Sequence, residues 1–197
     1  MEVIRVRDKY KDLFDTDTIN KNLGFIVENE EEIFKYVFRI NETHAQLEFT
    51  NEKYIEDVIS EFKFYNGFVD KIYSKSGKIL AEFPKKEFIK KEILDLYPSQ
   101  LYLNKRKIKN ISKRINNEIV YIPVKKVKGN YYILDGHSRL FVLLEKGINK
   151  VYIYEEECES WIFKYIDLCQ ENKVFSINDL KLLNNKEYEE KWIKFNL

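Results

Sequence analysis

The sequence predicts an α+β fold, and three observations predict it. The stretch "HAQLEF" (44–49) alternates apolar and polar side chains as a half-buried strand does. The stretch "NEKYIEDVISEFKFY" (51–65) places Tyr54, Ile55, Val58, Ile59 and Phe62 on one helical face. Residues 131–154, "YYILDGHSRLFVLLEKGINKVYIY", read as strand, polar turn, helix and strand. The expected organisation is an N-terminal α+β unit (1–93), a small mixed-sheet domain (94–157) and a helical tail (158–197).

Along the first unit, residues 30–38 mix charged and apolar side chains irregularly before the alternation of 44–49 begins. The helix of 51–65 closes at Asn66-Gly67. "FVDKIYS" and "KILAEF" then flank Lys75-Ser76-Gly77, a hairpin whose glycine supplies the positive φ of the turn. His44 stands alone on its strand and reads as a structural residue. No chemical motif occurs in this unit.

Beyond Pro84 the character changes. "YPSQLYLNKRKIKNISKRIN" opens with an extended turn at Tyr97-Pro98 and enters a short helix marked by Ile108, Ile111 and Ile115. "VYIPVKKV" and "YYIL" are strands around the tight turn Lys128-Gly129-Asn130. Leu140, Leu143 and Leu144 mark a helix that stops at Gly147, where a C-terminal glycine is favoured, and "KVYIY" resumes as a strand. That last strand is expected to pair beside residues 131–134. In the tail, Trp161, Phe163, Tyr165 and Trp192 recur at roughly helical spacing, which predicts helices burying Trp161, Ile166 and Trp192.

Composition bounds the function. Of 197 residues, 44% are hydrophobic and 15% aromatic, enough for a substantial core. Thirty-four basic and thirty-three acidic residues leave a net charge of +1, which excludes a histone-like polyanion coat. The start, MEVIRVRDKY, lacks a signal-peptide pattern and no run of eighteen apolar residues occurs, so a cytoplasmic protein without membrane partners is expected. Cys158 and Cys169 are spaced as in no zinc pattern and read as half-buried thiols.

Chemistry concentrates in the polar turn, Asp135, Gly136, His137, Ser138 and Arg139. At a helix start the first backbone N–H groups have no carbonyl partners, and with the helix dipole they form an anion site. Gly136 lets an oxyanion approach, Ser138 offers a hydroxyl, His137 can donate or relay a proton, and Arg139 can grip two phosphate oxygens. Asp135 would serve as a Mg²⁺ ligand, as a base aimed at an acceptor hydroxyl, or as a helix cap. A basic run flanks this turn: residues 105–128, from Lys105 at one end to Lys128 at the other, hold nine Lys or Arg against Glu118. The run offers a surface for nucleic acid.

The box "LDGHSRLFVLLEKGI" resembles the signature of the ParB/sulfiredoxin superfamily, whose small α/β domain carries a DGHxR-like box between strand and helix. "YPSQLYLNKRKI" is similar to that family's entry segment and "IPVKKVKGNYYIL" to its two leading strands, so the resemblance covers residues 96–155. The tail, with "SINDL" and "YEEKWI", resembles an extension carried by bacterial proteins with this domain. The resemblance implies binding of nucleotide phosphates by Gly136, His137, Ser138 and Arg139. Sulfiredoxin chemistry is not expected, because His137 stands where that activity needs a Cys. A chromosome-partition protein is not expected either, because only the tail follows and the Arg-rich box is missing. Free-serine kinases carry DGHHR, which DGHSR matches in four of five positions. That likeness implies an ATP- or ADP-dependent, Mg²⁺-dependent small-molecule phosphotransferase in which Asp135 and His137 are catalytic and His137 and Arg139 hold donor phosphates. In those kinases a catalytic Glu occupies the place of Ser99, beside Gln100; lacking such a base costs on the order of a hundred- to ten-thousand-fold in rate. The alternative is a catalytically silent ParB-like domain that contacts nucleic acid or protein.

Overall fold

The computed structural model describes residues 2–7, 9–29, 32–115 and 119–194. The chain divides into two compact units, 1–86 and 87–197. Both contain helices and sheet, so the α+β class holds, with mixed sheets in each.

In the first unit the elements are β1 (Glu2–Arg5), α1 (Thr16–Lys21), β2 (Gly24–Glu28), β3 (Ile33–Asn41), β4 (His44–Phe49), α2 (Ile55–Tyr65), β5 (Lys71–Ser74) and β6 (Ile79–Glu82). The six strands lie in chain order in one sheet. All neighbours are antiparallel except β4 and β5, which are parallel because α2 carries the chain across. The inward residues of β4, Ala45 and Leu47, are the apolar half of its alternation. The face of α2 formed by Val58, Ile59 and Phe62 is buried on the sheet, and the Phe62 ring stacks on Phe38 with centroids 3.8 Å apart. Gly77 closes the β5–β6 hairpin at φ 86°. His44 Nε2 lies 3.3 Å from Asp70 Oδ1.

The second unit contains β7 (Ile89–Glu92), β8 (Leu96–Tyr97), β9 (Tyr102–Asn104), α3 (Lys105–Ser112), β10 (Tyr121–Val127), β11 (Asn130–Ile133), α4 (His137–Glu145), β12 (Lys150–Glu155), α5 (Ile162–Glu171), β13 (Lys181–Leu183) and α6 (Asn185–Tyr188). Its main sheet has the order β7-β12-β10-β11-β8. Lys128 and Gly129, at φ 48° and 87°, form the two-residue turn between β10 and β11, where a positive φ at both positions matches the strand twist. Residues 89–92, within the span first given to the N-terminal unit, form the antiparallel partner of β12.

Two expectations are corrected here. The strand of residues 150–155 pairs with β10 in parallel, not with residues 131–134, because α4 carries the chain across β10 to its far side. The tail is not purely helical: β13 pairs in parallel with β9 and ties the C-terminal segment to the entry segment. Ile166 is buried as expected and Trp192 packs partly against the core, but Trp161 is 51% exposed. Its indole N–H donates to Glu159, and its ring meets Tyr165 edge-on, so it sits on the outer side of α5. Residues 195–197 of the tail and 116–118 of the basic run lie outside the described residues.

The core of this unit is built from Ile122, Val124, Ile133, Val151 and Ile153 of the sheet, with Leu140 and Leu143 of α4, Ile108 of α3 and Ile177 of the tail. Each fully buried side chain of this size contributes about 1.5–3 kcal/mol, which anchors α4 against the sheet. At its C-terminus, Gly147 at φ 76° donates to Leu144 O and Ile148 to Leu143 O, both at 2.9 Å. This is a Schellman ending, and the helix stops where the glycine predicts. Both ends of α4 are therefore fixed, and its N-terminus points a defined set of backbone groups toward the polar turn.

Candidate functional site

Gly136 sets the geometry of the polar turn. It is the N-cap of α4 at φ 104°, a left-handed conformation that side chains resist. A Cβ there would stand 2.6 Å from Ile122 Cδ1, and 3.1 and 3.3 Å from the Arg139 Nη2 and Nε. Only glycine fits beneath the Arg139 guanidinium. Leu140 N–H makes the first helical bond, to Gly136 O at 2.9 Å, so the N–H groups of His137, Ser138 and Arg139 precede any helical acceptor. The N-cap, Gly136, has no side chain with which to cap them, and the Asp135 carboxylate accepts the Gly136 backbone N–H. The helix dipole adds partial positive charge at the same end.

Arg139 Nη2 donates to Asp135 Oδ2 at 2.9 Å, one helical turn apart. Asp135 is exposed and Arg139 half-buried. Desolvation beside the helix raises the Asp135 pKa, but the Arg139 guanidinium, then the Lys107 ammonium, more than offset this and hold the carboxyl below its ordinary range. Lys107 comes from the first turn of α3, whose N-cap Asn104 accepts from the Arg106 and Lys107 N–H groups. Its charge acts on both Asp135 and His137. The Arg139 guanidinium, the Asp135 carboxylate and the first N–H groups of α4 thus share one turn, within reach of the Lys107 charge. This turn can hold an anion, and its carboxylate can accept a proton.

His137 does something other than the expected relay. It is buried, and its Nε2 accepts the backbone N–H of Ser99 at 3.0 Å. Burial pushes its pKa down to about 3; Lys107 and Arg139 push the same way and Asp135 opposes them. The imidazole is therefore neutral with its proton on Nδ1, and it fastens the entry turn to α4. Ser99 is buried too, and its hydroxyl donates to Ile133 O at 2.5 Å. Ser99 is thus a structural link between turn, strand and helix. Gln100 turns to Tyr102 O at 2.9 Å. Ser138 is buried in the first turn of α4.

The turn therefore brings Asp135, Gly136, Ser138 and Arg139 together at one helix end, with His137 beneath them. Sequence reasoning placed Lys107 only within a long basic run; its start-of-helix position after Asn104 was the signal that singles it out. The contact between His137 and Ser99 spans thirty-eight positions and has no local signature. Among the described residues no group of three or more His, Cys, Asp or Glu could hold a metal. An open groove of about 670 Å³ in the first unit is lined by Arg39, His44, Tyr73 and Lys75 and includes none of these residues. Both cysteines are free thiols; burial pushes Cys169 up to about 12.

No family model matches the chain, and no curated protein matches it. Among solved structures it is similar to protein Atu1540 from Agrobacterium tumefaciens, at 17% identity and a TM-score of 0.37. The likeness covers 48% of this chain and 61% of that one, a level that carries no argument about fold family or activity. No helix among the described residues is long and apolar enough to cross a membrane.

Proposed function

We propose that the second unit is a ParB/sulfiredoxin-like domain that binds a nucleotide or another phosphorylated small molecule at the N-terminus of α4. One observation carries the reading: α4 starts at a left-handed glycine N-cap, Gly136, with the Arg139 guanidinium against it and the charge of Lys107 felt at the same turn. Backbone N–H groups and a helix dipole favour a compact oxyanion, and a guanidinium adds two directed donors. Any phosphoryl transfer would use Asp135 as the base, since His137 is neutral and tied to Ser99, whose own hydroxyl is bonded to Ile133. A Mg²⁺ ion fits only in company with the ligand: Asp135 is one exposed carboxylate, and phosphate oxygens and water would complete the octahedron. Bound there, the ion would neutralise phosphate charge.

A thermal-shift panel of ATP, ADP, CTP and inorganic phosphate, with and without Mg²⁺, tests this reading. At least one phosphate ligand should raise the melting temperature by an amount that Arg139→Ala reduces. A second reading, a catalytically silent nucleic-acid-binding domain, is supported by the exposed Lys105, Arg106, Lys107, Lys109 and Lys113 along α3 and its C-terminal end. DNA binding that weakens steeply with salt and ignores nucleotides would favour it.

A further inference from the structure

We propose that the open groove of the first unit binds a small hydroxylated dicarboxylate, which Arg39 grips and a protonated His44, backed by the buried Asp70, contacts beside it. The groove lies on one face of the sheet, where the register sets Arg39 opposite Gln46, Asn41 opposite His44, and Gln46 opposite Tyr73, while Ala45 and Leu47 point into the core. Lys75 completes its rim, and among the described residues no Asp or Glu lines it. An acid-free lining with two permanent cations suits negative charge.

Asp70 independently calls for a positive charge at this place. It is 7% exposed and fixed at the entry to β5, its N–H donating to Thr43 O and its carbonyl accepting from the Phe83 N–H, both at 2.8 Å. Among the described residues its Oδ1 has no hydrogen-bond partner. A buried carboxylate left in that state is costly unless a cation offsets it, and the group against Oδ1 is His44 Nε2, at 3.3 Å. Protonated, the imidazole compensates Asp70 and adds a third positive charge to the groove through its half-exposed side. The other charged or titratable groups facing it are Lys71, its partner across the ladder and itself paired with Glu82 at 2.8 Å, Tyr73, whose ring meets it edge-on, and Arg39 from β3. An anion in the groove and a proton on His44 therefore strengthen one another's binding.

Arg39 has donors to spare. It approaches Asp15 Oδ2 and Glu48 Oε1 at 3.6 Å each, and Lys75 approaches Glu48 Oε1 at 3.8 Å. These separations are longer than hydrogen bonds, and water screens the pairs. A planar carboxylate matches the guanidinium fork through two parallel bonds. The amides of Asn41 and Gln46 and the phenol of Tyr73 suit hydroxyl groups. Backbone N–H groups of β3 and β4 are engaged with strands on both sides, so this face has no nest or helix end of the kind that favours a phosphate.

Calorimetry with tartrate, a dianion throughout the range from pH 6 to pH 8, tests the site on the full chain, and thermal denaturation of each variant checks its folding. The unchanged chain should bind tartrate about threefold more tightly at pH 6 than at pH 8, the effect of one added charge at an exposed site. Arg39→Ala should weaken binding about tenfold at both pH values, the scale of a charge-assisted hydrogen bond. His44→Gln should bind with one affinity at both. Sulfate, a tetrahedral dianion, should bind more weakly than tartrate, and Arg139→Ala, in the second unit, should leave tartrate binding unchanged. Absence of tartrate binding, equal affinity in the unchanged chain and Arg39→Ala, or loss of binding in Arg139→Ala would overturn the site. A pH dependence that persists in His44→Gln would remove the histidine from it, and sulfate binding as tightly as tartrate would overturn the carboxylate assignment.

Discussion

The backbone N–H of Ser99 donates to Nε2 of His137 at 3.0 Å, and through this bond the entry turn is fastened to the first turn of α4. The bond requires an unprotonated Nε2. It converts a histidine that reads as a proton relay into one that holds two segments in register.

Stability should consequently depend on pH below neutrality. The folded His137 pKa is depressed to about 3 while the unfolded value is 6.5, so above 6.5 the residue is neutral in both states and contributes no pH dependence. Below 6.5 the unfolded chain binds a proton that the folded chain refuses, and stability falls by at most about 1.4 kcal/mol per pH unit until pH 3 is approached. Urea denaturation at pH 7, 6 and 5 should show this decline, and His137→Gln should flatten it. An identical pH profile in the variant would assign the decline to other groups.

Gly136→Ala should destabilise the second unit by about 1–3 kcal/mol, from the left-handed backbone and the overlap with Ile122. The new methyl also displaces the Arg139 guanidinium, so phosphate affinity should fall together with stability. Chemical denaturation and calorimetry on one preparation measure both. Unchanged stability would show that the turn adopts another conformation.

Tail residues should divide sharply. Ile177 is fully buried in the core that holds α4, and Ile177→Ala should cost about 2–5 kcal/mol. Trp161 is half-exposed on the outer side of α5, and Trp161→Ala should cost less than about 1 kcal/mol despite its larger side chain. Melting temperatures of the two variants test the pairing of β13 with β9 as well, since Ile177 leads directly into β13.

Much of this organisation was legible in the sequence wherever local chemistry decides structure. Alternation in residues 44–49, the apolar face of α2, the Gly77 and Gly129 turns and the Gly147 stop all depend on neighbours a few positions away. The polar turn was legible for the same reason, because an aspartate, a glycine at the helix start and an arginine one turn on are neighbours in sequence. What escaped is non-local. That β12 crosses to the far side of β10 depends on sheet packing, whereas the outward Trp161 lies five positions, about 140° around a helix, from buried Ile166, off the face that Ile162, Ile166 and Cys169 form. The neutral state of His137 follows from Ser99 arriving beneath it, which no spacing within the box reveals.

The central claim is that the N-terminus of α4 binds phosphate through Arg139. Calorimetry of the unchanged chain and Arg139→Ala, with the nucleotide that gives the largest thermal shift, tests it most directly. The account predicts a loss of about thirty- to hundredfold in affinity, the scale of a charge-assisted hydrogen bond, with the remainder supplied by the helix N–H groups and Lys107. Equal affinity for the two proteins would contradict it and reduce the polar turn to the start of a helix.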